Sequence, residues 1–192
     1  MRIRDLALAL PPLLLAVAGL LHPMDLTSAT SGRWLALHVV LIPVFPLLGV
    51  CLWVLLRTEG GWLPWLARVA AFVYAAFYGA LDTINGVAVG VLVRGTPSAE
   101  VPALLPRLRP LFTLGNTLGW VGSVAFLVGV LVTVVVLARR GGRRVWPGAA
   151  LTVVAAVSFL DSHVYWPRGV LTMLVLGVGL VLLARTRPAP RP

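Results

Sequence analysis

The stretch LFTLGNTLGWVGSVAFLVGVLVTVVVLA at residues 111–138 decides the fold class, because it contains no charged side chain. A helix needs about 20 mostly apolar residues to cross the hydrocarbon core of a bilayer. Arg139 and Arg140 follow this stretch directly. A long apolar run that ends at arginines is typical of a transmembrane helix.

Similar apolar runs fill most of the chain on either side. Hydrophobic residues make up 59% of the 192 residues and charged residues 11%, whereas a soluble domain has about 25% charged residues. We therefore predict an all-α fold, a polytopic transmembrane helical bundle that forms a single domain over residues 1–187. Its six spans are predicted near residues 5–22, 33–56, 65–93, 111–138, 145–164 and 168–185. Residues 188–192 are predicted to be a disordered tail.

The arginines predict the orientation. All 16 basic residues are arginine, and a cytoplasmic N-terminus puts 11 of them inside and 5 outside. Short cytoplasmic loops of membrane proteins are rich in basic residues, so both termini are predicted to be cytoplasmic in a multi-pass protein of the cell membrane. The first run could instead be a cleaved signal peptide with an A-x-A site at residues 16–18.

The net charge of +10 does not indicate nucleic-acid binding, because the arginines lie between apolar runs, as in membrane proteins. The predicted partner is the lipid bilayer. A homo-oligomer or a partner within a membrane complex is left open.

Two stripes of small residues predict where helices approach closely. One stripe lies in the fourth span and the other in the third. We expect the two stripes to pack together or to face the bundle centre. Their members are Gly115, Gly119, Gly122 and Gly129 in the fourth span, and Ala75, Gly79, Asp82, Gly86 and Gly90 in the third.

Asp82 and Asn85 form a predicted buried polar pair within the third span. A carboxyl group inside a membrane costs about 2.5–3.5 kcal/mol on insertion scales, so it usually faces other helices and often has a function. The alternative is a structural aspartate that locks helix packing.

A second polar group lies near the predicted outer ends of the spans. Histidine and carboxylate side chains ligate zinc and copper, and imidazole also ligates haem. His38, Asp161 and His163 are the predicted metal ligands, and His22 and Asn116 are further ligand-binding candidates. Interfacial histidines that simply bond to water, headgroups or backbone are the alternative.

Pro43 and Pro46 predict a kink beside His38, since each proline removes an N–H from the helix. Helical rise puts Asp82 about 16 Å below the outer end of its span, deeper than His38. We therefore expect Asp82 and Asn85 to lie apart from the histidines.

No catalytic or phosphate-binding motif appears in the chain, so the sequence leaves three functions open and the catalytic residues unknown. The first is an integral membrane protein with an outward-facing polar pocket, a metal- or ligand-binding accessory subunit. The second is a small intramembrane enzyme that uses the outer histidines. The third is a proton-coupled transporter that uses Asp82.

Overall fold

A computed structural model describes residues 3–186, and within that range the chain contains helices and turns but no strand. The predicted tail at residues 188–192 lies outside the described residues. The helices are α1 (Ile3–Leu21), α2 (Ser31–Val44), α3 (Pro46–Leu56), α4 (Trp62–Leu81), α5 (Val89–Arg94), α6 (Val101–Leu104), α7 (Arg109–Gly141), α8 (Trp146–Ser162) and α9 (Arg168–Arg185). A π-helical turn, Asp82–Ala88, joins α4 to α5.

Five helical stretches of the described chain are long and apolar enough to cross a membrane. They are Ile3–Leu21, Ser31–Leu56, Trp62–Arg94, Val101–Ser162 and Arg168–Arg185. The fourth predicted span, and the fifth as far as Ser162, fall within the single stretch Val101–Ser162. This stretch folds back on itself, because the ring centroids of Phe126 in α7 and Phe159 in α8 are only 5.9 Å apart.

The predicted irregularity in the second span lies at Phe45, between α2 and α3. Pro46 has no N–H to donate to the preceding turn. The Phe45 carbonyl accepts hydrogen bonds of 3.0 Å from the Leu48 N–H and from the Tyr74 hydroxyl group. The Tyr74 bond links the helix break at Phe45 to the middle of α4.

The glycines of α7 allow a close approach to α4 and to the π-helical turn. A Cβ atom at Gly119 would collide with the Leu81 side chain, and one at Gly122 would come within 3.0 Å of the Tyr78 backbone nitrogen. The prediction that this stripe marks a helix contact is therefore confirmed.

The other stripe does not face α7. A Cβ atom at Gly86 would collide with the His38 ring, and one at Gly90 would meet Trp34 and Leu35, all of α2. Gly79 has open space beside it. Of the two expected arrangements, direct packing of the stripes on each other is wrong for Gly86 and Gly90, because the π-helical turn and α5 bring these glycines against α2.

Ion pairs join the helices at one end of the bundle. Arg185 of α9 bonds to Asp5 of α1 at 3.2 Å, and Arg140 of α7 bonds to Glu59, after α3, at 2.8 Å. The opposite end contains all three histidines. There the chain around α6 packs an apolar cluster of Val101, Leu108, Val93 and Trp34 beside the histidines.

Candidate functional site

Three histidines from distant parts of the chain meet at one point. His22 follows α1, His38 lies in α2, and His163 follows α8. One ring nitrogen from each lies within 4.8 Å of the other two. His22 and His38 are buried, and His163 is partly buried. We call these three residues the histidine triad.

Local backbone geometry brings the triad together. His163 has a φ angle of 45°, a left-handed conformation that is uncommon for residues other than glycine. Because α8 ends at Ser162, the His163 side chain leaves the helical path of that element. Gly19 lies against the Val164 carbonyl group, where a Cβ atom would collide, so α1 can bring His22 close to His163.

Each ring of the triad is held by a hydrogen bond at its Nδ1 atom. His22 Nδ1 donates to the Pro23 carbonyl oxygen at 2.7 Å, and His38 Nδ1 donates to the Trp34 carbonyl oxygen at 2.8 Å. The direction follows because a carbonyl oxygen can only accept. The Nδ1 atom of His163 lies 2.7 Å from the Tyr78 hydroxyl oxygen.

These bonds leave the Nε2 atoms of neutral His22 and His38 as acceptors. The two Nε2 atoms are 3.5 Å apart, and the Asp82 Oδ1 atom is 3.8 Å from His38 Nε2. His38 Nε2 therefore has two other atoms that carry lone pairs close to it. A cation at this point, either a metal ion or a proton, would satisfy them together.

The expected separation between Asp82 and the histidines is wrong. The π-helical turn begins at Asp82, and a π-helix has more residues per turn than an α-helix. Side chains in this turn therefore point in other directions than a regular helix predicts. Gly86, within the same turn, lets the His38 ring approach closely enough to reach Asp82.

Asp82 is fully buried, in agreement with the prediction that it faces other helices. Among the described residues, neither of its carboxylate oxygens has a hydrogen-bond partner. Buried polar groups almost always have partners, and exceptions call for an explanation such as a bound ion or a functional role. Asp82 is thus the most unusual polar group near the triad.

Asp161, a predicted metal ligand, is not part of the triad. Its side chain is 68% exposed and pairs with Arg168 at 2.6 Å. The prediction of Asp161 and His163 as ligands of one metal requires both side chains to turn inward. Only His163 does so, because the helix continues regularly through Ser162. The triad therefore consists of His22, His38 and His163, and Asp161 is removed from the ligand set.

Asn85 and Asn116 lie beside the triad and bond to each other. Asn85 Nδ2 donates to Asn116 Oδ1 at 2.9 Å, which links the π-helical turn to α7. Trp34 Nε1 donates to the Asn85 backbone carbonyl at 3.2 Å. The polar pair predicted as Asp82 and Asn85 is therefore continuous with the histidine cluster.

Burial keeps the histidines outside the helices neutral. It lowers the pKa of His22, despite the Pro23 carbonyl, which acts in the opposite direction. It also lowers the pKa of His163, and the neighbouring His22 and His38 lower it further. Metal ions bind neutral imidazole, so burial favours the form that can act as a ligand at pH 7.

A cavity of about 460 Å³ adjoins the triad. Its polar lining includes His38, Asp82 and His163, whereas Trp120, Leu160 and Phe112 contribute apolar surface. Its volume lies within the range of small-molecule sites. The triad is therefore next to a space that an organic molecule could occupy.

The distances agree in part with those of a metal centre. Zinc–nitrogen bonds of about 2.0–2.1 Å place two tetrahedral ligands about 3.3 Å apart. The His22–His38 distance of 3.5 Å fits this value. The other separations in the triad are within 4.8 Å and would have to shorten by up to about 1.5 Å, a shift that side-chain rotation can supply.

Sequence reasoning missed the aromatic residues that enclose the triad. Tyr165 packs edge-on to His22, with 4.6 Å between ring centroids, and Trp34 stacks on His38 at 4.9 Å. Trp34 precedes His38 by four residues and so shares its helical face, which was a usable signal. Nothing local in the sequence connects Tyr78 with His163.

Comparisons with known proteins give no further guidance. No family model matches this chain, and neither the curated proteins nor the solved structures contain a match.

Proposed function

We propose that this chain is an integral membrane protein that binds a transition-metal ion through His22, His38 and His163. The observation that carries the proposal is the close approach of the three rings: one nitrogen of each lies within 4.8 Å of the other two, and the Nε2 atoms of His22 and His38 are 3.5 Å apart. Metal-ligating histidines usually donate their second ring N–H to a carbonyl or carboxylate group. His22 and His38 both have such a bond.

Zinc and divalent copper are the metals that this donor set favours. Imidazole suits both, whereas thiolate and thioether ligands select monovalent copper. No cysteine or methionine lines the neighbouring cavity in the described part of the chain. Haem is less well supported, because the close approach of the His22 and His38 nitrogens leaves no room for a macrocycle between them.

The finer topology belongs to the same proposal. We infer six membrane spans with both termini in the cytoplasm and the triad near the outer surface. The back-folding of α7 on α8 supports a division of Val101–Ser162 into two spans. The arginine-rich turn between them supports a cytoplasmic position for that turn. Reporter fusions after Arg144 and after Arg94 should report opposite sides of the membrane.

Equilibrium dialysis of the purified protein tests the metal proposal. After chelator treatment, the wild type should bind about one zinc or copper ion per chain. The triple variant His22→Ala, His38→Ala, His163→Ala should bind none at the same free metal concentration. Asp161→Ala is the matched control, because it removes a nearby exposed carboxylate that lies outside the triad. Equal binding by the triple variant and the wild type would refute the proposal.

A second candidate function is a small intramembrane metalloenzyme. It is favoured by the position of the unpaired Asp82 carboxylate, next to His38 and lining the cavity. A metal centre with three protein ligands can keep a position open for water or substrate. A transporter that uses Asp82 independently of the histidines has less support, because Asp82 and His38 are in contact.

A further inference from the structure

The cavity beside the triad is not a closed void inside the bundle, because some of its lining residues are exposed. It lies between the π-helical turn, α7 and the end of α8. Three of its lining residues, Asn116, Trp120 and Asp161, are exposed on the side of the bundle. Phe126 of α7 and Phe159 of α8 are in contact. The two helices are therefore closed together at this level, and the gap between them lies toward the end of α8.

Apart from the ion pair of Asp161 with Arg168, the surface around this opening includes exposed apolar side chains. Leu114 of α7 is 50% exposed, and Val157 of α8 is also 50% exposed. Helix faces of this kind in a membrane protein contact lipid chains. Asn116 is an exposed amide on the same part of α7, where hydrocarbon alone would leave its N–H groups without acceptors. The opening is therefore better suited to a molecule with polar and apolar parts than to lipid chains alone.

The interior of the cavity also combines polar and apolar side chains. Trp120 and Leu160 provide apolar contacts, while Asp82 offers two buried carboxylate oxygens that accept no hydrogen bond from any described residue. Carboxylate oxygens need donors. A ligand that fits both features has an apolar chain and a head group that donates hydrogen bonds.

We propose that this cavity binds a single-chain amphiphile with a hydroxyl-bearing head group, which reaches it sideways from the membrane between α7 and α8. The head group donates hydrogen bonds to Asp82 and meets the Asn116 amide, and the chain lies against Trp120 and Leu160. This proposal goes beyond metal binding and does not depend on it.

Photolabelling of the whole protein tests the proposal. The probe is a monoacylglycerol with a diazirine in its acyl chain, added to chelator-treated protein in detergent micelles. We expect labelled peptides from α7 around Trp120 and from α8 around Leu160. Unlabelled monoacylglycerol at about ten times its Kd should reduce this labelling about tenfold, whereas the fatty-acid methyl ester of the same chain, which lacks hydroxyl groups, should not.

A pair of variants on adjacent exposed positions locates the site. Asn116→Phe places a bulky ring at the opening and should abolish the competed labelling. Thr117→Phe adds the same ring outside the cavity lining and should leave the labelling unchanged. If Asn116→Phe does not fold, the comparison of monoacylglycerol with the methyl ester as competitors on the wild type still tests the proposal.

Two results would overturn the proposal. One is labelling spread evenly over the lipid-facing helices, and the other is equal competition by the monoacylglycerol and the methyl ester. Because the protein is free of metal in this experiment, a failure of metal binding would leave its outcome unaffected, and the two proposals can fail separately.

Discussion

Asp5 and Asp82 are both buried aspartates, but their partners differ in charge. Asp5, at the start of α1, has the Arg185 guanidinium group at 3.2 Å. Asp82, at the start of the π-helical turn, has the His38 ring at 3.8 Å. The first carboxylate joins two helices through an ordinary ion pair. The second has no hydrogen-bond donor among the described residues.

A charged partner distinguishes the structural carboxylate of Asp5 from the carboxylate of Asp82. A buried charge is tolerated when an opposite charge or a set of donors compensates it. Arg185 provides that compensation for Asp5. At Asp82 the basic group within ion-pair distance is an imidazole whose ring already donates through Nδ1 to Trp34. The compensation at Asp82 must therefore come from a bound cation, a ligand or a proton.

The largest effect is expected from Gly86→Ala. Its new methyl group would collide with the His38 ring and push that ring away from His22 and Asp82. Zinc affinity should fall about 100-fold. This is the upper end of the loss in metal affinity that follows when a group orienting a metal ligand is changed. Gly79→Ala is the matched control, because open space surrounds that position. Unchanged affinity in Gly86→Ala, measured by competition with a chelating dye, would contradict the proposed geometry.

Asp82→Asn should lower zinc affinity about tenfold, since it removes a negative charge next to His38 while retaining the side-chain volume. The same substitution at the other aspartate, Asp5→Asn, should leave zinc affinity within about twofold. Titration of both variants with the same dye compares them directly. If Asp5→Asn weakened zinc binding as much as Asp82→Asn, the distinction between the two aspartates would be lost.

Acid should destabilise the metal-free protein at the histidine end. Burial lowers the pKa values of His22 and His163, so the unfolded chain binds protons near pH 6.5 that the folded chain does not yet bind. Their contribution to stability is complete above about pH 6.5 and decreases as the pH falls below that value. The thermal unfolding midpoint in detergent should therefore decrease from pH 7 to pH 5. The decrease should be smaller in the double variant His22→Gln, His163→Gln, and an equal decrease would refute the assignment.

The smallest effect is expected for stability in Asp5→Asn. Arg185 is 55% exposed, and an ion pair with an exposed partner contributes about 1 kcal/mol or less. For a chain of this size, that loss corresponds to a decrease of about 2–4 °C in the unfolding midpoint. A scanning fluorimetry experiment in detergent is sufficient, and a much larger decrease would indicate that Asp5 has a further role.

The helical class and the positions of the long helices could be predicted from hydropathy alone. α9 occupies Arg168–Arg185, as predicted, and α7 extends the predicted run at residues 111–138 by a few residues at each end. The glycine stripe of α7 was also a reliable signal, because close helix packing needs small residues at regular spacing. These features follow from properties that repeat along a helix.

The composition of the site could be predicted only in part, because it depends on departures from regular helices. The π-helical turn at Asp82 and the left-handed backbone at His163 each change the direction of a side chain without a distinct sequence signal. Regular helical geometry consequently placed Asp82 too far from His38. It did give a signal against Asp161, because side chains two residues apart on a regular helix, such as Asp161 and His163, point about 200° apart. Similar depth in the bundle was enough to predict that His38 and His163 lie near each other.

X-ray absorption spectroscopy at the zinc edge identifies the side chains that bind the metal. Protein loaded with one equivalent of zinc should show imidazole ligands, about three of them, at about 2.0–2.1 Å. The spectrum of Asp161→Ala should be the same, and that of His38→Ala should lose the imidazole signal. A spectrum of the wild type without imidazole ligands, or one that His38→Ala leaves unchanged, would contradict the account.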